Sequence, residues 1–216
     1  PPFLPFSEAE IDPLAFNMPP SAKHLLGGDD VGRDVLSRLL YGGRVSLAVG
    51  IFSTAVSVIV GIPLGMLAAF YRGAFEVVVM RLSDIFMSFP STILILFLVS
   101  MFGPSIITVT VVIGVLGWPK FARQIYGSVL SIREKDYIEG AVAIGAKDKL
   151  IITRYILPNA VAPIFISITF RIASAIILES SLSFLGMGVQ PPAASWGNML
   201  YNAQSITILT SRPWMW

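Results

Sequence analysis

Charge is scarce in this 216-residue chain, which has 15 Lys and Arg, 13 Asp and Glu and a single histidine. The residues that carry charge are therefore the first to test for chemistry. His24 stands near Asp29, Asp30 and Asp34. One imidazole with loop aspartates is a weak ligand set for a cation, and turn and helix-capping roles suit these residues better. Serines are plentiful, but the one histidine lies far from most of them and no GxSxG occurs, which argues against a serine hydrolase. The absence of cysteine excludes disulfides, thiolate metal sites and cysteine nucleophiles. There is no GxxxxGK[ST] phosphate loop, so nothing here is built to hydrolyse ATP.

Two further groups of charge stand inside or beside apolar sequence. Arg171 and Glu179 lie within one greasy stretch, eight residues apart, or about 12 Å along a helix, too far for a direct pair. A charge in a bilayer core costs at least about 2–3 kcal/mol, so each should face a bundle interior, a watery path or a partner. For Arg171 a place on a substrate path competes with pairing to Asp84 or to a second subunit. The other group is DYIEGAVAIGAKDKLIITRYILPNA, residues 136–160, where charges alternate with small residues. Tyr137, Ile138, Ala141, Ile144 and Gly145 fall on one helical face, Gly145 and Ala146 weaken the helix, and Leu150, Ile151 and Tyr155 resume it up to Pro158. A short helix of this kind suits a groove on another protein, because small side chains let two backbones approach.

The elements that hold these residues are set by hydropathy. Apolar side chains make up 55% of the chain, charged ones only 13%, and the mean hydropathy is +0.77. Globular domains carry about 25% charge, so the chain reads as an all-α membrane protein. Residues 45–70 and 85–119 hold no charge at all, and roughly 20 apolar residues already cross a bilayer as a helix. Four spans are expected, over about 45–71, 82–102, 105–122 and 160–185. Gly61 and Gly65 form a small-xxx-small pair in the first, Gly103 and Pro104 divide the second from the third, and Pro90 and Pro119 are expected to kink or end helices. Asp34 should cap a short amphipathic helix before the first span. Residues 1–43 then form one loop region, 44–185 the membrane domain with a loop at 123–159, and 186–216 a second loop region with a short helix. Further spans are expected before Pro1 and after Trp216.

Orientation follows from Lys and Arg. The segment 120–155 carries seven of them, namely Lys120, Arg123, Arg133, Lys135, Lys147, Lys149 and Arg154, whereas the tail from Gly186 carries only Arg212. The positive-inside rule places the seven-charge loop in the cytoplasm and the two end regions outside. The pI near 9.1 reflects these flanking clusters and not one basic face, so nucleic acid is not an expected partner.

The loop also has a specific likeness. Glu139, Gly140, Ala141, three residues, Gly145 and then Leu157 and Pro158 resemble the EAA loop of ABC-importer permeases, with Gly140 in place of alanine and Tyr155 in place of isoleucine. LLGGDDVGRDVLSRLLYGGRVSL and ILESSLSFLGMGVQPPAASWGNML are similar to signatures of the dipeptide, oligopeptide and nickel permeases, C-type subunit, with Gly28 where threonine is usual. The resemblance implies a type I ABC importer permease fold with six spans in the whole subunit, seated in a bacterial or archaeal inner membrane. It also implies a second permease subunit, two ATPase subunits that hold ATP and Mg, and an external solute-binding protein. Glu139, Gly140, Ala141, Gly145, Leu157 and Pro158 would make the ATPase-coupling site, with no cofactor and no catalysis on this chain. The rival reading, a self-sufficient secondary transporter or channel, calls for inverted repeats and polar residues along several spans. The sequence displays neither.

Overall fold

In a computed structural model of the chain, residues 6–202 and 206–215 are described, and among them the regular structure is helical, with one isolated bridge between Gly28 and Asp34. The chain divides into two compact units, residues 1–51 with 96–110 and 174–216, and residues 52–95 with 111–173. Four helices run from one unit into the other.

α1 (Val35–Tyr71) begins where Asp34 accepts the Ser37 amide at 2.7 Å, the expected N-cap. It is 37 residues long, about 55 Å at 1.5 Å per residue. The expected amphipathic helix and first span are thus one continuous element, and Pro63 does not end it. In the second unit α1 packs closely on α4 (Ile106–Arg133), and the glycine pair is what permits it. A Cβ on Gly61 would lie 2.6 Å from the Trp118 carbonyl oxygen, and one on Gly65 would run into that of Ala122. Small residues let backbones meet where lipid offers no hydrophobic drive.

The expected second span is not one helix. α2 (Gly73–Ser88) and α3 (Ser91–Phe102) meet at a bend of 88°. Pro90 drives Phe89 out of the helical region, to φ −94° and ψ 141°. α2 also absorbs Glu76 and Arg81, which the sequence places in a link. Pro119 acts differently, for α4 passes through it and continues to Arg133, so the expected span at 105–122 is longer and the loop shorter.

Then follow α5 (Asp136–Ala143), α6 (Asp148–Leu150), a π-helical turn (Ile151–Ile156), α7 (Leu157–Val161) and α8 (Ile164–Phe184). α9 (Trp196–Asn202) supplies the short helix expected in the tail, and α10 (Ile206–Ser211) follows. By length and hydropathy α1, α4 and α8 can each cross a membrane, and α2 with α3 makes a fourth, bent candidate. The core of the second unit joins Ala69 of α1, Phe121, Ile125 and Val129 of α4, Ile138 and Ala141 of α5, Ile151 and Ile156 of the π turn, and Ile164 of α8.

Candidate functional site

α5 is eight residues long, too short to hold its shape in water without packing. Asp136 and Glu139 in its first turn favour the positive end of its dipole. Ile138, 2% exposed, and Ala141 anchor it in the core just described. The helix closes when Gly145 takes φ +77°, so that its amide reaches the Val142 carbonyl at 2.9 Å and the Ala146 amide reaches that of Ala141 at 3.0 Å. That left-handed turn is the reason for glycine at 145.

The outward face of this segment is also apolar. Tyr137, Val142, Ile144 and Leu150 are exposed, Ile144 at 85%. Beside them Phe70, Tyr71, Arg133, Ile138, Glu139, Val142, Ala143 and Asp148 line a cleft of about 580 Å³. The Arg133 guanidinium sits over the Phe70 ring at 5.8 Å and donates to the Ala69 carbonyl at 3.4 Å. Glu139 and Asp148 have no ion pair among the described residues. The helix is thus bound to its own core on one side and presents bare apolar and acidic groups on the other.

Of the residues singled out from the spacing, Glu139, Gly140 and Gly145 face outward, whereas Ala141 points into the core. Leu157 is half-buried and Pro158 exposed, and both border a separate apolar groove with Val58, Ile62 and Phe165. The spacing therefore joins exposed residues with a buried anchor.

The membrane charges are held in different ways. Arg171 does not meet Asp84. Its Nη2 donates to the Ile113 carbonyl at 2.9 Å, beside Gly117, where a Cβ would stand 2.6 Å from that nitrogen. Ser57 donates to the next carbonyl, Gly114, at 2.7 Å, so two carbonyls of α4, one turn before Pro119, each receive a side-chain donor. Asp84 instead pairs with Arg123 and, at 3.7 Å, with Arg81. Glu76 accepts the Tyr126 hydroxyl, and Gln124 donates to Ser167 at 2.8 Å, two interhelical contacts without a sequence signal.

Glu179 lies wholly buried in the other unit, where its carboxylate accepts Ser46 at 2.8 Å and Ser183 at 2.7 Å. Those hydroxyls in turn accept the amides of Trp196 at 3.3 Å and Val189 at 3.1 Å. The carboxylate thus seats the 189–196 segment on α1 and α8 through two serines. His24, also buried, has Nδ1 2.9 Å from Asp34 and Nε2 3.4 Å from Asp12, and stacks on Phe6. Asp12 is held down to about 2, chiefly by Lys23 at 2.5 Å and then by the Leu14 amide.

Apolar helices long enough to cross a membrane, packed through a glycine seam, define a multi-pass helical membrane protein. The chain belongs to the family of binding-protein-dependent transport system inner membrane components, which it matches over residues 61–211. It is an inner-membrane protein. Over 214 residues it is 40% identical to a protein named as a peptide permease of Brucella ovis, a match covering 99% of this chain and 71% of that one. It is 42% identical to the glutathione transport system permease of Pectobacterium atrosepticum, covering 89% and 64%. It is 38% identical to the dipeptide transport system permease of Alkalihalophilus pseudofirmus, covering 96% and 68%. A chain of the MetNI methionine ABC transporter, solved in inward-facing conformations, shares the fold with a TM-score of 0.64 at 20% identity, covering 82% of this chain and 85% of that one.

Proposed function

We propose that the protein is a membrane-spanning subunit of an ATP-driven importer for di- or oligopeptides or similarly sized solutes such as glutathione, a nickel complex being the other class the resemblance allows. The observation that carries this is the match to peptide, glutathione and dipeptide permeases over 88–99% of the chain. In this reading the chain does no bond chemistry. A second permease subunit completes the pathway, an external solute-binding protein delivers the solute, and two ATPase subunits hold ATP and Mg. Alternating access follows when closure of the ATPases on ATP shifts the spans.

The outward face of residues 136–150 is the ATPase contact, with Glu139, Gly140 and Gly145 on the surface, Ala141 seating the helix, and Leu157 and Pro158 leading toward α8. The bare apolar and acidic groups there support this. Arg171, Glu179 and Asp84 keep the spans in register instead of meeting solute. The test is uptake of a labelled dipeptide, glutathione and a nickel chelate into liposomes holding the whole importer with its binding protein. ATP-dependent accumulation of the dipeptide or of glutathione supports the reading, and accumulation without ATP refutes it.

A further inference from the structure

The chain between α5 and α8 does not follow an ordinary helix. Over residues 151–156 the backbone bonds reach back five residues, the Leu157 amide meeting the Ile152 carbonyl. The cause is legible in the isoleucine spacing. Ile151 and Ile156 are buried in a single core, at 1% and 0%, and Ile152 between them is buried as well, at 7%. In an α-helix, at 3.6 residues per turn, Ile151 and Ile156 would stand about 140° apart, and one would leave that core. The wider turn brings both to the same side.

This arrangement lacks one backbone donor. Pro158 has no amide to give to the turn before it. Two carbonyls around the turn receive side-chain donors, Lys149 from the Thr153 hydroxyl and Tyr155 from the Asn159 amide, each at 2.7 Å. The outer side, Thr153 and Arg154, is exposed. So one face is pinned in the core by Ile151 and Ile156, while Pro158 leaves the turn one backbone donor short. π turns within helices are often found at functional positions.

We propose that the π turn Ile151–Ile156 is a compliant joint through which displacement of α5 reaches α8, by local exchange between the five-residue and four-residue bond registers. The joint rests on the coupling reading given above and adds its mechanical route. In the four-residue register Ile151 and Ile156 turn about 140° apart, so the exchange is coupled to the withdrawal of one of them from the core.

Deleting Thr153 tests this directly. Ile151 and Ile156 then stand four residues apart and Ile152 three from Ile156, so a plain α-helix keeps all three on one face. In the whole transporter in lipid nanodiscs, the deletion variant should still bind its ATPase subunits and hydrolyse ATP, while solute moved per ATP falls about tenfold. Thr153→Ala, which keeps the residue count, should stay within about twofold of the parent. Spin labels at exposed Lys149 and Ala162 report on the turn in the parent protein without depending on the deletion. Their separation should change by several ångström between the nucleotide-free and ATP-trapped states. Unchanged transport per ATP in the deletion variant, or a constant label distance through the cycle, overturns the joint. If the parent permease recruits no ATPase at all, the coupling reading itself falls and takes the joint with it.

Discussion

Ile138→Ala should detach α5 from its core without unfolding the protein. Ile138 is 2% exposed, and with Ala141 it is one of two buried residues that α5 places in the core. Burying an isoleucine side chain stabilises by about 1.5–3 kcal/mol, and truncation in a close-packed core costs about 2–5 kcal/mol once the cavity is counted. An eight-residue helix has little stability of its own to absorb that loss. The loss therefore falls on the docking of α5 and not on the spans, which are held by glycine seams elsewhere. With about 1.4 kcal/mol per factor of ten, even the low end lowers the seating equilibrium constant of α5 by more than tenfold. If only seated α5 binds, apparent affinity for the ATPase falls in proportion to the seated fraction, by up to that factor. Hydrogen exchange over residues 136–146 should accelerate while α4 keeps its protection, and titration of ATPase subunits onto nanodiscs should show the weakened binding. Unchanged exchange with unchanged affinity would refute the claim that the core holds this helix. Loss of protection throughout α4 would refute the claim that its stability is local.

Three further outcomes follow. Gly65→Val should force α1 and α4 apart, because even a Cβ there meets the Ala122 backbone, and overpacking costs about 1–3 kcal/mol; thermal unfolding in detergent should show it, whereas Gly140→Ala, with nothing within 4 Å of its Cβ, should be neutral or stabilising by up to about 1 kcal/mol. Gly117→Ala should press on both the Ser57 hydroxyl and the Arg171 guanidinium and lower complex stability at least as much as Arg171→Met, the two together costing less than their sum because they share the Arg171 contact. Because Asp12 is held below its ordinary value of 3.8, to about 2, its contribution to the N-terminal loop is fully present above about pH 4 and is lost as pH falls through 2. Pepsin cleavage within residues 10–24 should rise on going from pH 4 to pH 2, and Asp12→Asn should abolish that difference.

The spans were legible because runs of apolar residues in lipid leave little choice but helix, and the seam at Gly61 and Gly65 because its spacing is the mechanism. Asp34 was legible as a cap for the same local reason. The bend at Pro90 was visible as a candidate, yet so was Pro119, and the two behave differently. Phe89 goes extended before Pro90, whereas α4 continues through Pro119, with Ile113 and Gly114 receiving donors from Arg171 and Ser57. Those donors come from 58 and 57 residues away, beyond any local reading of the sequence. The partners of Glu179 were hidden likewise, with Ser46 lying 133 residues away along the chain. The division of the 139–145 pattern into outward and inward residues depended on where the spans lie, although the helical period already put Ile138 and Ala141 on one face. The π turn did have a signal, Ile151 and Ile156 at a spacing that an α-helix turns about 140° apart, and it was open to reading as an ordinary resumed helix.

The central claim is that the outward face of residues 136–150 grips an ATPase. The most direct measurement is co-purification of the ATPase subunits with the full-length subunit carrying Glu139→Trp and Gly145→Trp, compared with the parent. The account predicts that the parent retains both ATPase subunits, while the double variant, still inserted in the membrane, loses them. Retention of the ATPases at parental stoichiometry by a correctly inserted double variant would contradict it.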